Sequence, residues 1–164
     1  MSNMVRPVAV GVALAICLSG CFSGGAREKD GALDPAVLDR TVQEASFHVR
    51  VPERWRTSYK LLNVSRVTGP EGHYMVSFDL GAGTGPVLTV DEGGRALACR
   101  AYTDGARDLG SERVGAALWR VYDQSAAGGL VYVTKYPDGV EVVLVGGTDR
   151  GPLRSLARAL GAPS

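Results

Sequence analysis

Cysteine, histidine and aromatic residues are scarce in this chain, and neither sign of charge is in excess. Three cysteines among 164 residues, an odd number, give no disulfide framework. Two histidines, His48 and His73, leave little for nucleophilic or zinc chemistry. A serine or cysteine nucleophile needs a base within reach, and zinc needs three or four clustered ligands. Neither G-x-S-x-G nor H-E-x-x-H occurs. Eighteen Lys and Arg against seventeen Asp and Glu leave a net charge of +1, without the basic excess of a nucleic-acid binder. Disorder needs low hydrophobicity and high net charge, whereas 45% of these residues are hydrophobic. The expectation is one globular domain that is not an enzyme, with no catalytic residues, cofactor, metal or nucleic-acid partner.

What is present begins with an address. Residues 8–18 (VAVGVALAICL) are eleven uncharged residues preceded by Arg6 and followed by small residues, the layout of a secretory signal. Eleven residues are too few for a membrane-spanning helix, which takes about 20. No twin arginine is present, which favours the general secretory route. Leu18-Ser19-Gly20-Cys21 then resembles the bacterial lipobox. The resemblance implies diacylglycerol on the Cys21 thiol and cleavage between Gly20 and Cys21. Two acyl chains give stable anchoring where one is marginal. Removing residues 1–20 takes away Arg6 alone among charged side chains, so seventeen basic residues then face seventeen acidic ones. Cys17 leaves with the signal, and Cys99 becomes the one free thiol. Arg outnumbers Lys fifteen to three and the single isoleucine is Ile16, a bias associated with GC-rich genomes such as those of actinobacteria. The expected location is the extracytoplasmic face of the cell membrane.

Residues 21–33 are rich in Gly, Ser and charge and read as a flexible tether. A dozen such residues reach about 17–21 Å. Residues 34–164 form the expected single α+β domain: a twisted antiparallel sheet of about six or seven strands, a short N-terminal helix and an amphipathic C-terminal helix packed on the sheet. Asp34-Pro35 opens the first helix, with Val37, Leu38 and Val42 on its apolar face. Period-two alternation predicts strands at 47–51, 62–67, 74–80, 87–92 and 117–122. His48, Arg50 and His73 fall on outward faces in that reading. Asp91-Glu92-Gly93-Gly94 reads as a turn, and residues 95–102 are ambiguous.

The last hairpin is the sharpest local expectation. Residues 130–136 and 140–145 flank Pro137-Asp138-Gly139, where Pro pre-sets a turn and Gly supplies the left-handed residue. The pairing runs Lys135–Glu141, Thr134–Val142, Val133–Val143 and Tyr132–Leu144. Both faces are apolar, which predicts a central position covered on both sides. In the final helix Leu153, Leu156, Ala157 and Leu160 share a face, Asp149 or Thr148 caps it, and Gly161 ends it. Arg154 and Arg158 fall opposite and read as solvated, with anionic headgroups as the sharper alternative. Trp55, Trp119 and the tyrosines read as core, with a ligand groove as the alternative. Gly81-Ala82-Gly83-Thr84-Gly85 is followed by a strand, so it reads as a loop and not a phosphate cradle.

The nine residues Phe47-His48-Val49-Arg50-Val51-Pro52-Glu53-Arg54-Trp55 follow an F-x-V-x-x-P-x-x-W pattern. It is similar to the opening of PsbP-like domains and of related actinobacterial lipoproteins. The strand from Gly139 to Gly146, leading into a Leu-rich helix, resembles the uncharacterised extracytoplasmic domain attached to some anti-sigma factors. These resemblances imply an antiparallel sheet with flanking helices and carry over no catalytic residues. The expected function is a lipid-anchored envelope module, its partners the membrane, through the Cys21 lipid, and an envelope protein or lipid. The alternative is a carrier or sensor of an apolar small molecule, using a groove on the sheet.

Overall fold

The computed structural model describes residues 31–69, 72–83, 85, 87–93, 102–124 and 129–160, with backbone alone at 69 and 72–74. The signal segment with Gly20 and Cys21, the tether up to residue 30, most of 95–102, Cys99 and Gly161 lie outside the described residues. The chain forms α1 (Pro35–Glu44), α2 (Trp55–Ser58), β1 (Lys60–Gly69), β2 (Gly72–Gly81), β3 (Leu88–Gly93), β4 (Arg107–Val114), β5 (Ala117–Gln124), β6 (Gly129–Lys135), β7 (Glu141–Gly146) and α3 (Arg150–Ala159). The strands make one seven-stranded sheet in the order β1-β2-β3-β7-β6-β5-β4, with every neighbouring pair antiparallel. The fold is α+β, as the residue pattern predicts.

Two meanders, β1-β2-β3 and β4-β5-β6-β7, are joined where β3 pairs with β7. Alternation sorts the side chains into two faces. One face carries Leu61, Val76, Phe78, Leu80, Val90, Trp119, Val121, Tyr132, Val142 and Leu144, all buried. The helices lie on this face. Leu38 of α1 and Leu153, Leu156 and Ala157 of α3 are buried against the same core. Asp34 caps α1 by accepting the Ala36 N–H at 2.9 Å. Asp149 caps α3 by accepting the Gly151 N–H at 2.8 Å. On the second face Asp91, Val131 and Val143 are buried as well.

The last hairpin pairs residue for residue as its sequence predicts, from Lys135↔Glu141 to Tyr132↔Leu144. Its burial on both faces accords with its place beside and at the middle of the sheet. Gly139 adopts φ +84° in the turn, where Gly avoids the strain a Cβ would meet. Trp55, Trp119, Tyr132 and Tyr136 are core residues.

Three expectations about the backbone are corrected, and two elements are added. Residues 47–51 form no strand: Val49 and Arg50 are both buried, and the Arg50 N–H is taken by a glutamate side chain, not by a neighbouring strand. The strand expected at 87–92 forms as β3, but the turn expected from Asp91 does not: Asp91 and Glu92 are its buried end, held by Ser77↔Asp91 and Glu92↔Val142 pairing. Strand β4 and helix α2 have no counterpart in the sequence reading. The β4 sequence RDLGSERV is nearly all polar, and Gly110 at φ +89° sits in a bulge between Asp108 and Ser111. A charged, bulged strand suits a sheet edge, where it resists edge-to-edge association. Ala32 and Leu33, assigned to the tether by composition, are buried, and the Leu33 N–H donates to the Leu61 carbonyl at 2.7 Å.

Close packing of backbone gives a direct test. A Cβ built at Gly129 would lie 1.8 Å from the Gly146 carbonyl oxygen. Gly129→Ala should therefore force β6 and β7 apart and cost roughly 1–3 kcal/mol or more. Urea denaturation followed by circular dichroism measures it, and unchanged stability would contradict this packing.

Candidate functional site

The predicted lipidation and cleavage residues, Cys21 and Gly20, lie outside the described residues; within the domain, the groups with chemical potential are charges held in its interior and at its helix–sheet contact. On the helical face, Glu92 is fully buried and both of its oxygens accept the Arg50 backbone N–H, at 3.0 and 2.9 Å. The Arg50 guanidinium is itself buried. It donates to Asp138 Oδ2 at 2.5 Å and to the His48 carbonyl at 3.2 Å, and it lies 3.8 Å from the Tyr136 ring centre. Asp138 belongs to the hairpin turn, where its Oδ1 also accepts the Val140 N–H at 3.0 Å. One arginine thus ties the non-strand segment 48–50 to the β6–β7 turn and to β3. Burial pushes the Glu92 carboxyl up to about 8, only partly offset by the Arg50 N–H and guanidinium, with Asp138 adding to the rise. For Asp138 burial pulls upward. The Arg50 and Val140 hydrogen bonds and the charges of Arg50 and His48 outweigh it and hold the carboxyl below its ordinary value.

A second cluster fastens α3 to the sheet edge. Glu112 of β4 accepts from Arg154 Nε at 3.0 Å and Nη2 at 2.5 Å, from Arg150 Nη1 at 3.4 Å, and from the Tyr132 hydroxyl. The Arg154–carboxylate fork is the geometry that makes such pairs strong. Arg154 is therefore a tie between helix and β4, which corrects its reading as a solvated side chain. Arg158 is exposed. The Arg154 hydrogen bonds, opposed by burial and helped by Tyr132 and Arg150, bring the Glu112 carboxyl down to about 2. Burial, and then the Glu112 carboxylate, push the Tyr132 phenol up to about 12. Sequence spacing gives no sign of this cluster, because Glu112 lies on the strand that polar composition conceals.

A third group occupies the second face. Asp91 is 1% exposed and is hydrogen-bonded by Ser77 and Tyr102, with Asp79 close enough to repel it. Thr89 Oγ1 donates to Asp79 Oδ1 at 2.6 Å. Burial first, then Asp79, raises the Asp91 carboxyl above its ordinary value against the pull of the two hydroxyls. Tyr102 precedes β4, and this bond brings its side chain to the second face. Burial, then Asp91 and Asp79, raise its phenol. Of the two histidines, His48 is exposed, and the side chain of His73 lies outside the described ones. Among the described residues, no group of three His, Cys, Asp or Glu side chains converges as a metal cluster.

The two helical-face acids should shape stability in opposite pH windows. Glu112, lowered to about 2, stabilises the fold above its ordinary 4.5, and that contribution fades as pH falls from there. Glu92, raised to about 8, binds more protons folded than unfolded, so stability should fall as pH rises from about 4.5 through 8. Urea denaturation across this range should show Glu92→Gln flattening the alkaline decline. Glu112→Gln should flatten the acid limb and cost about 1.5–3 kcal/mol at neutral pH. A wild-type stability that rises steadily from pH 5 to pH 8 would contradict the Glu92 assignment.

No family model, curated protein or solved structure matches the chain.

Proposed function

We propose that the protein is an extracytoplasmic, lipid-anchored module with a non-catalytic binding or assembly role in the cell envelope. The observation that carries this reading is Leu18-Ser19-Gly20-Cys21 set directly behind the uncharged residues 8–18. No helix among the described residues is long and apolar enough to cross a membrane, so in this reading attachment rests on the Cys21 lipid. The chain enters the domain at Ala32 and Leu33, beside the start of β1, and the residues between Cys21 and that point serve as the tether.

Assembly is preferred to carriage of an apolar ligand because the β6–β7 hairpin, where a groove was the alternative, is covered on both faces by the chain itself. Tyr132 and Leu144 are fully buried on one side, Val131 and Val143 on the other. A crosslinking pull-down of the anchored protein in cells, with lipids and proteins both analysed, separates the two roles. Assembly predicts a protein partner, and a bound lipid without one would favour carriage.

The anchoring has its own test. Cys21→Ala should abolish metabolic labelling by a radiolabelled fatty acid and release the protein from the membrane fraction. Labelling that persists in the variant would overturn the proposal.

A further inference from the structure

Asp91 and Glu92 are consecutive on β3 and buried on opposite faces, 1% and 0% exposed. Their surroundings differ in kind. Glu92 has a backbone N–H on both oxygens and a guanidinium at 4.0 Å. Asp91 has hydroxyls: Ser77, directly opposite it on β2, and Tyr102, which precedes β4. Its Oδ1 is buried and has no hydrogen-bond partner among the described residues. The charge that acts on it from a neighbouring strand is another carboxylate, Asp79, itself bonded by Thr89. Further along the same face, Glu141 stands opposite Gly93, and its Oε2 is also buried without a hydrogen bond among the described residues. Lys135 approaches only the other Glu141 oxygen, at 4.0 Å. The remaining carboxylates in buried clusters, Glu92, Asp138 and Glu112, each have an arginine.

Burying a carboxylate beside a like charge is unfavourable unless a cation neutralises it or a proton does. We propose that Asp91 and Asp79, with the hydroxyls of Ser77, Thr89 and Tyr102, form a binding site for a hard divalent cation of the calcium type. The donors are all oxygens, which suits calcium or magnesium; softer metals favour nitrogen and sulfur. Calcium is the better fit. Magnesium keeps several of its waters in a strict octahedron, whereas the carboxylates and hydroxyls of five residues would supply most of the ligands here. Calcium tolerates an irregular set of carboxylate and hydroxyl oxygens completed by a water. A cation here would fasten β2, β3 and Tyr102 together on the face opposite the helices. This inference does not depend on lipid anchoring and can fail or succeed without it.

The test is thermal unfolding and titration calorimetry of the purified full-length protein in chelator-treated buffer, with calcium chloride, magnesium chloride, or sodium chloride at matched ionic strength. Calcium should raise the midpoint by about 5 °C or more near saturation and release or absorb heat with one-site stoichiometry. Asp91→Asn and Asp79→Asn should each lose most of that response. Asp91→Asn should also unfold at a higher temperature than the wild type in chelator, because a buried charge is gone. Should Asp91→Asn fail to fold, the wild-type titration and Asp79→Asn still decide. A wild-type midpoint unmoved by calcium at millimolar concentration means that a proton or a water satisfies Asp91, and overturns the proposal. So does a calcium response retained in both variants. A larger response to magnesium than to calcium would overturn the choice of ion.

Discussion

The pairing of β3 with β7 holds the two halves of this sheet together. Each half is a local meander whose strands are neighbours in sequence, whereas Thr89↔Val145 and Glu92↔Val142 bring together residues fifty or more positions apart. Such contacts carry a loop-closure cost that local hairpins avoid. What offsets it is apolar area on both faces: Val90 and Leu144 meet under the helices, and Val143 is buried on the other side. At roughly 25 cal/mol per Å², a handful of fully buried Val and Leu side chains supplies several kcal/mol.

The same joint explains why two acids end up inside. β3 is third in the order and is flanked by β2 and β7, so its last residues cannot reach solvent by fraying from an edge. Glu92 faces the helix layer, where the chain from His48 to Pro52 has left the sheet and lies across it. The Arg50 N–H, which a strand would have spent on a neighbour, goes to Glu92. The guanidinium above it then reaches the hairpin turn at Asp138. Sheet, N-terminal segment and β6–β7 turn therefore share one polar knot. Asp91, on the other face, has no arginine of this kind among the described residues.

How much of this could be read from the residues depends on where each side chain finds its partner. The β6–β7 register was legible because a Pro-Asp-Gly turn fixes the pairing locally, and the helix caps at Asp34 and Asp149 are local for the same reason. The expected strand at 47–51 has the right alternation, yet its backbone partner is a side chain 42 positions away, which periodicity cannot reveal. Asp91-Glu92-Gly93-Gly94 has turn composition, and pairing with β2 on one side and β7 on the other makes Asp91, Glu92 and Gly93 a strand. β4 leaves no apolar period in the sequence because an edge strand needs few apolar residues. Its Glu112, the anchor for Arg154, is hidden in the same polar run.

Amide hydrogen exchange measured by NMR reaches the β3–β7 joint directly. In a single continuous sheet the amides of Val90 and Leu144 should exchange only through global unfolding, at one common free energy, while amides of the edge strands β1 and β4 exchange faster. If β3 exchanged together with β1 and β2 at a lower free energy than β6 and β7, the two meanders would be separate units, and the β3–β7 pairing would not be what holds the domain together.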